Sequence, residues 1–306
     1  MQTPLLCDRD LTASQSDLQN SHEVGKSCKR VPQALGHMIY PSAGETIHRE
    51  DFQNPKEKIP TKGEALGMEC GDGPVPYRFS SPLHRGVLRS RYKRFLADVE
   101  LENGQQIIAH CPNTGPMSGV CQVGAPVYLS HHPEPKRKLA YTWEMIQVDG
   151  VWVGINTSLP NRLVDWGLER GWFPQLAGFS RRQREVTCGR SKIDFLLTGD
   201  SGSAYLEVKN TTWAVGSRAL FPDTVTTRGQ KHLEDLIQIR QQGQRALLLY
   251  WINRADCTEF APGEERDPRY ARLFREALQV GVEMLPYRVE VSPAGIRPLG
   301  LAKIVV

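Results

Sequence analysis

The sequence predicts two folded parts of different class, a small all-β barrel over residues 77–156 and an α/β unit with a mixed sheet over 157–306. Three observations carry this. Short apolar runs separated by glycine-rich corners recur up to Asn156, the spacing of a small barrel. Beyond Asn156, helical stretches alternate with strand-like ones, the rhythm of an α/β unit. Within that second part "RALLLYWI", from Arg245, runs on apolar with no alternation, as a strand buried on both faces does.

Residues 1–76 read differently. They are rich in Ser, Gln, Pro, Gly, Lys and Glu, with few aromatics and no apolar period. Such a composition buries too little surface to offset ordering entropy, so it predicts a disordered extension. The alternative is a start site set too far upstream, with Met68 as the natural initiator. The N-terminus lacks the charged flank and apolar core of a secretory signal. No apolar run approaches the length of a membrane span.

The chain has 306 residues and a net charge of only +4, so it is no polybasic binder as a whole. Its basic residues are clustered, which is what a polyanion responds to. Seven cysteines with no C-x-x-C pair suit reduced thiols in a cytoplasmic protein better than a disulfide framework.

In the barrel, "RGVLRSRYKRFLADVELENG" alternates apolar and basic residues and ends in Asn103-Gly104, a hairpin turn signal. "QQIIAHC", "APVYLSHH", "LAYTWEMIQVDG" and "VWVGIN" continue the series, with Asp149-Gly150 as a second hairpin turn. The total is five short strands, for which an oligonucleotide-binding-type barrel is one architecture among small barrels. In the second part, "PNRLVDWGLERGW" reads as a helix with Asn161 or Thr157 at its start and Gly171 at its end. "TTRGQKHLEDLIQIRQQG" is another, capped by Thr226 or Thr227 and stopped by Gly243. "DPRYARLFREALQVG" gives a third helix and "VEMLPYRVEVS" a last strand.

The chemistry is concentrated in "SKIDFLLTGDSGSAYLEVKN", Ser191 to Asn210, which reads as two strands around a polar turn. Residues two apart share a strand face, so Ile193, Phe195 and Leu197 fall together, as do Ala204, Leu206 and Val208. Matching these apolar faces with Gly199 to Gly202 as the loop puts Thr198 across from Ser203 and Asp194 across from Glu207. A one-residue slip would send one apolar set to the wrong face. Opposed carboxylates repel, so a positive charge is expected between them. Lys209 is one candidate and a magnesium ion, which takes hard oxygen ligands, is another. A half-solvated face with Glu207 and Lys209 as a surface ion pair would also explain the pattern.

Helix, strand with Asp, strand with Glu-x-Lys, then helix resembles the layout of the PD-(D/E)-x-K nuclease-like fold. That resemblance implies that Asp194 and Glu207 hold Mg2+ or Mn2+, with the Val208 carbonyl as a further ligand. Lys209 would orient the attacking water and stabilise charge on the phosphate, making Asp194, Glu207 and Lys209 the catalytic set. Glu185 is a candidate additional acid, although it lies among Arg181, Arg182, Arg184 and Arg190, which are equally suitable partners. Asp165 and Glu169, four apart on one helix, read as solvated surface.

Two basic clusters are candidate nucleic-acid contacts. "RGVLRSRYKRF" sets Arg89, Arg91, Lys93 and Arg94 around Tyr92 and Phe95, and "SRRQREVTCGRSK" brings Arg190 and Lys192 up to the acidic hairpin. Cations neutralise phosphates and aromatic rings stack on bases, while solvent-facing barrel residues would show the same composition. In "HCPNTGPMSG" the backbone around Asn113 and Thr114 could cradle a phosphate. The spacing of His110, Cys111, Cys121, His131 and His132 fits no zinc pattern.

"RYKRFLADVEL", "AHCPNTGPMSG", "NRLV", "SKIDFLL", "YLEVKN" and "FPDTVTTRGQKHLEDL" together resemble the bacterial sugar fermentation stimulation protein A family, in order, from Phe79 to the C-terminus. The resemblance implies an oligonucleotide-binding-type barrel joined to a nuclease-like unit, DNA binding, and a link to sugar metabolism. Residues 1–76 have no counterpart in that pattern, and Trp166 stands where a further glutamate is expected. Three functions follow from these readings: a DNA-binding regulator, double- or single-stranded DNA being its partner, an active Mg-dependent nuclease on DNA or RNA, or, with less to support it, a protein-interaction adaptor that recruits transcription factors. A homodimer would suit a duplex binder.

Overall fold

The computed structural model describes residues 77–188 and 191–306. The expectations for residues 1–76 and for Arg190 lie outside these described residues.

The first part is built on strands β1 (His84–Tyr92), β2 (Leu96–Leu101), β3 (Gln106–His110), β4 (Pro126–His131), β5 (Tyr141–Val148) and β6 (Val151–Gly154). They run in the order β3-β2-β1-β4-β5-β6, and a further pairing of Ala109 with Tyr141 joins β3 to β5. That pairing closes five strands into a barrel whose interior holds Leu88, Val99, Ala109, Val127, Leu129 and Trp143, all fully buried. Alternation along β2, where Ala97, Val99 and Leu101 point inward, is the period-2 pattern such a closed sheet requires.

One expectation is corrected here. The stretch "RGVLRSRYKRFLADVEL" is two strands, with Tyr92 paired to Leu96 around a tight turn at Lys93–Phe95. Lys93 and Arg94 have φ of 49° and 67°, the left-handed region that Gly or Asn normally marks. No glycine announces this turn, so the sequence pattern runs straight through it.

The second part contains helices α1 (Leu159–Glu169), α2 (Thr227–Gln241) and α3 (Pro268–Gln279) and the remaining strands. These are β7 (Phe179–Cys188), β8 (Ser191–Gly199), β9 (Gly202–Thr211), β10 (Ala214–Val215), β11 (Arg218–Phe221), β12 (Arg245–Ile252), β13 (Glu259–Pro262), β14 (Glu283–Ser292), β15 (Gly295–Leu301) and β16 (Lys303–Ile304). The main sheet has the order β15-β14-β12-β9-β8-β7, with β12 parallel to both neighbours and the other pairs antiparallel. Four short strands form a second sheet in the order β10-β11-β13-β16. Their lengths of two to four residues leave no periodic signal, and none of the four is legible in the sequence.

Helix α1 lies on one face of the main sheet and α2 and α3 on the other. Leu159, Leu163 and Val164 of α1 share a core with Phe195, Leu206, Leu249 and Trp251. Leu233, Leu236, Tyr270 and Phe274 pack with Leu248, Tyr250 and Ile252 on the opposite side. Strand β12 supplies both cores, which is why "RALLLYWI" is apolar throughout. Trp251 is fully buried, stacks on Trp172 at 6.3 Å and donates from Nε1 to Asn253. Trp251→Ala is therefore expected to cost about 3–5 kcal/mol of stability, read by urea denaturation.

The helix ends differ in how well they were marked. Thr226 caps α2 by accepting from the Gly229 N–H, and Asp267 caps α3 through Tyr270. At α1 the N-cap is Ser158, with no side-chain cap bond, and Asn161 lies inside the helix. Asn161 has another partner, described next.

Candidate metal centre and nucleic-acid surface

The β8–β9 hairpin forms in the expected register, with Thr198 paired to Ser203, Gly199 to Gly202 and Phe195 to Leu206. Asp194 and Glu207 are the next pair in that register. There the ladder gives way to side-chain bonds. The Asp194 N–H donates to Glu207 Oε2 at 3.2 Å, and the Val208 N–H donates to Asp194 Oδ2 at 2.8 Å. Asn161 Nδ2 donates to Asp194 Oδ1 at 2.8 Å from α1. The residue that reads as a cap in sequence thus fixes a carboxylate of the site.

Glu207 is only 2% exposed, so the half-solvated-face reading of this hairpin does not hold. Helix α2 covers it: His232, also buried, bonds Glu207 Oε1 through Nδ1. Lys209 Nζ lies 2.6 Å from the same oxygen and 2.9 Å from His232 Nδ1. Arg228 Nε reaches His232 Nε2 at 3.5 Å. Asp194, Glu207, Val208 and Lys209 line a cleft of about 360 Å³ together with Asn161 and Arg228.

The two carboxylates differ in their electrostatics. Burial, then the charge of Glu207, pushes the Asp194 carboxyl up to about 6, against the opposing pull of Val208 N–H, Lys209 and Asn161. Burial also pushes Glu207 up, but Lys209 and then His232 outweigh it and hold that carboxyl below its usual range. An ion pair therefore already exists at Glu207, whereas Asp194 carries an uncompensated cost of ionisation. This donor set suits a hard divalent cation that keeps several waters, since two carboxylates are what magnesium commonly takes from a protein. Among the described residues no group of three or more His, Cys, Asp or Glu side chains is arranged to hold a metal ion, so two carboxylates are the side-chain ligands on offer here.

Other candidates are placed elsewhere. Glu185 is exposed, at φ 54°, with Lys192 Nζ 3.9 Å from its carboxylate, and it does not line the cleft. Asp165 and Glu169 both bind Arg182, so these acids are neutralised by a strand arginine. Trp166 packs edge-on against Tyr77 and Trp172.

In the barrel, Arg89 is held by Glu100 at 2.7 Å. Arg91 donates to the carbonyls of Arg94, Asn113 and Gly115, tying the β1–β2 turn to the Asn113 loop. The Tyr92 hydroxyl donates to Asp98. Lys93, Arg94 and Phe95 stand exposed at the turn, Phe95 at 45%. In the adjoining loop, Thr114 is exposed and Asn113 buried, and the Gly115 N–H is taken by Asn113 Oδ1. Thr157, which lines the cleft, donates to the Pro112 carbonyl, so this loop reaches the edge of the acidic site.

His232, Asn161 and Arg228 are the site residues that sequence reasoning missed. For His232 a signal existed: it is followed at helical spacing by Leu236 and Ile239, placing it on the buried side of α2.

A closed barrel followed by a mixed sheet with Asp194 and Glu207-x-Lys209 on adjacent inner strands defines a class, an oligonucleotide-binding-type barrel joined to a PD-(D/E)-x-K nuclease-like fold. Comparison with known proteins agrees part by part. Residues 90–155 match the family model described as "SfsA N-terminal OB domain", and residues 158–295 match "Sugar fermentation stimulation protein RE domain". A sugar fermentation stimulation protein homolog of Synechococcus sp. (strain JA-2-3B'a(2-13)) is 98% identical over 239 residues, covering 78% of this chain and 100% of the relative. Another, from Thermosynechococcus vestitus, is 58% identical over 229 residues, covering 73% of this chain and 95% of the relative. The structure of Pyrococcus furiosus SfsA in complex with Ca2+ superposes with a TM-score of 0.70 at 26% identity, covering 76% of this chain and 99% of that one. The chain belongs to the sugar fermentation stimulation protein family.

Proposed function

We propose that this chain is a DNA-binding protein whose acidic cleft holds a divalent metal, Mg2+ or Mn2+, against a phosphodiester. The observation that carries the reading is the buried Asp194–Glu207 pair with Lys209 beside it. The Ca2+ bound by the Pyrococcus relative supports a divalent site of this kind. Asp194 and Glu207 would hold the ion, with the Val208 carbonyl as a third ligand. Bound there, the ion would neutralise charge on the phosphate and acidify a coordinated water.

The chain's own residues do the rest. Asn161 and the Val208 N–H fix both oxygens of Asp194, and His232 holds Glu207 from behind. Lys209 is placed to hold a water or a non-bridging phosphate oxygen, and Arg228 supplies further positive charge to the wall. That arrangement favours hydrolysis of the phosphodiester over a purely structural site. The family's connection with sugar fermentation would follow from action on the genes concerned.

The test is cleavage of DNA and RNA with Mg2+ or Mn2+, comparing wild type with Lys209→Ala, alongside DNA binding by anisotropy. Cleavage lost at least a hundredfold in the variant, with DNA binding retained, is the expected outcome. Binding without metal-dependent cleavage in wild type would leave a DNA-binding regulator that keeps the site as scaffold.

The DNA-facing surface is proposed at the exposed turn of Lys93, Arg94 and Phe95. A Lys93→Ala/Arg94→Ala variant is expected to weaken DNA and flatten the salt dependence, by roughly two units of log–log slope if each side chain neutralises one phosphate. An unchanged slope would remove this surface from the reading. Arg91→Ala is expected to act differently, by releasing the Asn113 loop.

A further inference from the structure

A second cleft, of about 260 Å³, opens beyond the acidic one and shares Thr157 and Asn210 with it as common walls. It is lined by Asn113 from the barrel loop, Thr211 at the end of β9 and Trp213 just beyond it, and Phe221 at the end of β11 with Asp223 after it. We infer that this cleft is a subsite for one deoxynucleoside, unstacked from its neighbours and adjacent to the phosphate held at Asp194 and Glu207. The inference rests on the phosphodiester reading given above for the acidic cleft.

Charge separates the two clefts. Lys209 and Arg228 line the first, whereas the second has no lysine or arginine among the described residues of its wall and carries the carboxylate of Asp223. With the proposed divalent ion on Asp194 and Glu207, a phosphate is favoured in the first and repelled in the second, which leaves the uncharged sugar and base for the second. The lining matches them, with two aromatic rings for the planar base and amide, hydroxyl and carboxylate groups for its edge and the sugar hydroxyl.

The aromatic walls are rigid. A Cβ on Gly263 would lie 2.8 Å from the Trp213 ring, so glycine there allows the backbone to press against the indole. Arg266 stands over the same ring at 5.6 Å, and Phe221 packs on Tyr250 and Tyr270. The barrel side is fixed too: Arg91 holds the Asn113 and Gly115 carbonyls, and the Ser118 N–H reaches Asp223 at 3.4 Å. Preformed walls of this kind lower the ordering cost of binding.

One polar group in the wall is unexplained by the protein alone. Thr211 is 1% exposed and its Oγ1 has no hydrogen-bond partner, in a fold where buried hydroxyls are almost always paired.

The experiment uses the full chain with 15N-labelled tryptophan, the Trp213 indole signal being assigned by Trp213→Phe. Thymidine 5′-monophosphate is titrated with and without Ca2+, and Ca2+ binding and DNA anisotropy are measured in parallel. The Trp213 signal is expected to move saturably. Asp223→Ala should weaken the effect about tenfold, the loss of one hydrogen bond to a charged acceptor. Leu220→Trp, which fills the cleft from its wall, should abolish it. A Trp213 signal that does not move, or moves equally in Leu220→Trp, overturns the subsite. If Trp213 stays still while DNA and Ca2+ bind, the subsite falls and the phosphodiester reading stands. If Trp213 moves but Ca2+ does not bind, the subsite stands and the metal reading falls.

Discussion

Glu207→Ala is expected to abolish divalent-metal binding and to destabilise the metal-free protein by about 3 kcal/mol, the low end for breaking a buried ion pair. Its side chain is 3% exposed and that of Lys209 12%, so removing the carboxylate leaves a poorly solvated ammonium beside His232. Glu207 has a lowered folded pKa, so its contribution to stability is present above the unfolded value and is lost as pH falls through the folded one. The penalty of Glu207→Ala should therefore shrink in acid. Urea denaturation at pH 7.5 and in acid, with calorimetric titration of Mg2+ and Ca2+, checks both parts. In a Glu207→Ala/Lys209→Met double variant the stranded charge is gone, so much of the stability should return while the metal does not. A variant within 0.5 kcal/mol of wild type at pH 7.5, or one that retains the metal, contradicts this account of the site.

The hairpin was legible in the sequence because strand alternation and a polar turn together leave one register that buries both apolar sets. Ile193, Phe195, Leu197, Ala204 and Leu206 are all buried accordingly. Alternation gives the face a residue points to but not what covers that face. Glu207 and Lys209 therefore read equally well as a surface pair until α2 and His232 are in place. The same limit applies to the basic cluster of the barrel. "RYKRF" shows five residues in a row, yet the partners that occupy them come from elsewhere: Asp98 takes Tyr92, and the Asn113 loop takes Arg91. What remains available is the turn itself, and two residues with positive φ that are not glycine made that turn invisible to pattern. Asn161 fits a cap by residue type, but the bond to Asp194 spans 33 positions and depends on how α1 lies across the sheet.

The site joins opposed requirements in two adjacent carboxylates, and Asp194→Asn exposes the second of them. At pH 7.5 this variant is expected to be more stable than metal-free wild type, on the order of 2–3 kcal/mol, the equivalent of a shift of about two pH units. The sign follows from the proton count. The folded-state pKa of Asp194 is raised to about 6, so between about pH 4 and 6 the folded protein holds a proton that the unfolded chain has released. Stability thus falls as pH rises through that window, and the cost is fully present above it. The substitution removes that cost. An asparagine oxygen can still accept from the Val208 N–H, and Asn161 can turn its amide to present oxygen to the new NH2 group. Denaturation curves at pH 4 and pH 7.5 should show the variant's advantage only at the higher pH. Metal offsets the difference: at a hundred times its dissociation constant a ligand adds about 2.7 kcal/mol to wild type and nothing to a variant that cannot bind it. Equal stability of the two metal-free proteins at pH 7.5 would mean that Asp194 is not ionised at a cost. The strain that a divalent ion would relieve would then be absent. A wild type that is weaker without metal and at least equal with it is what a carboxylate kept for binding, against the interest of the fold, must show.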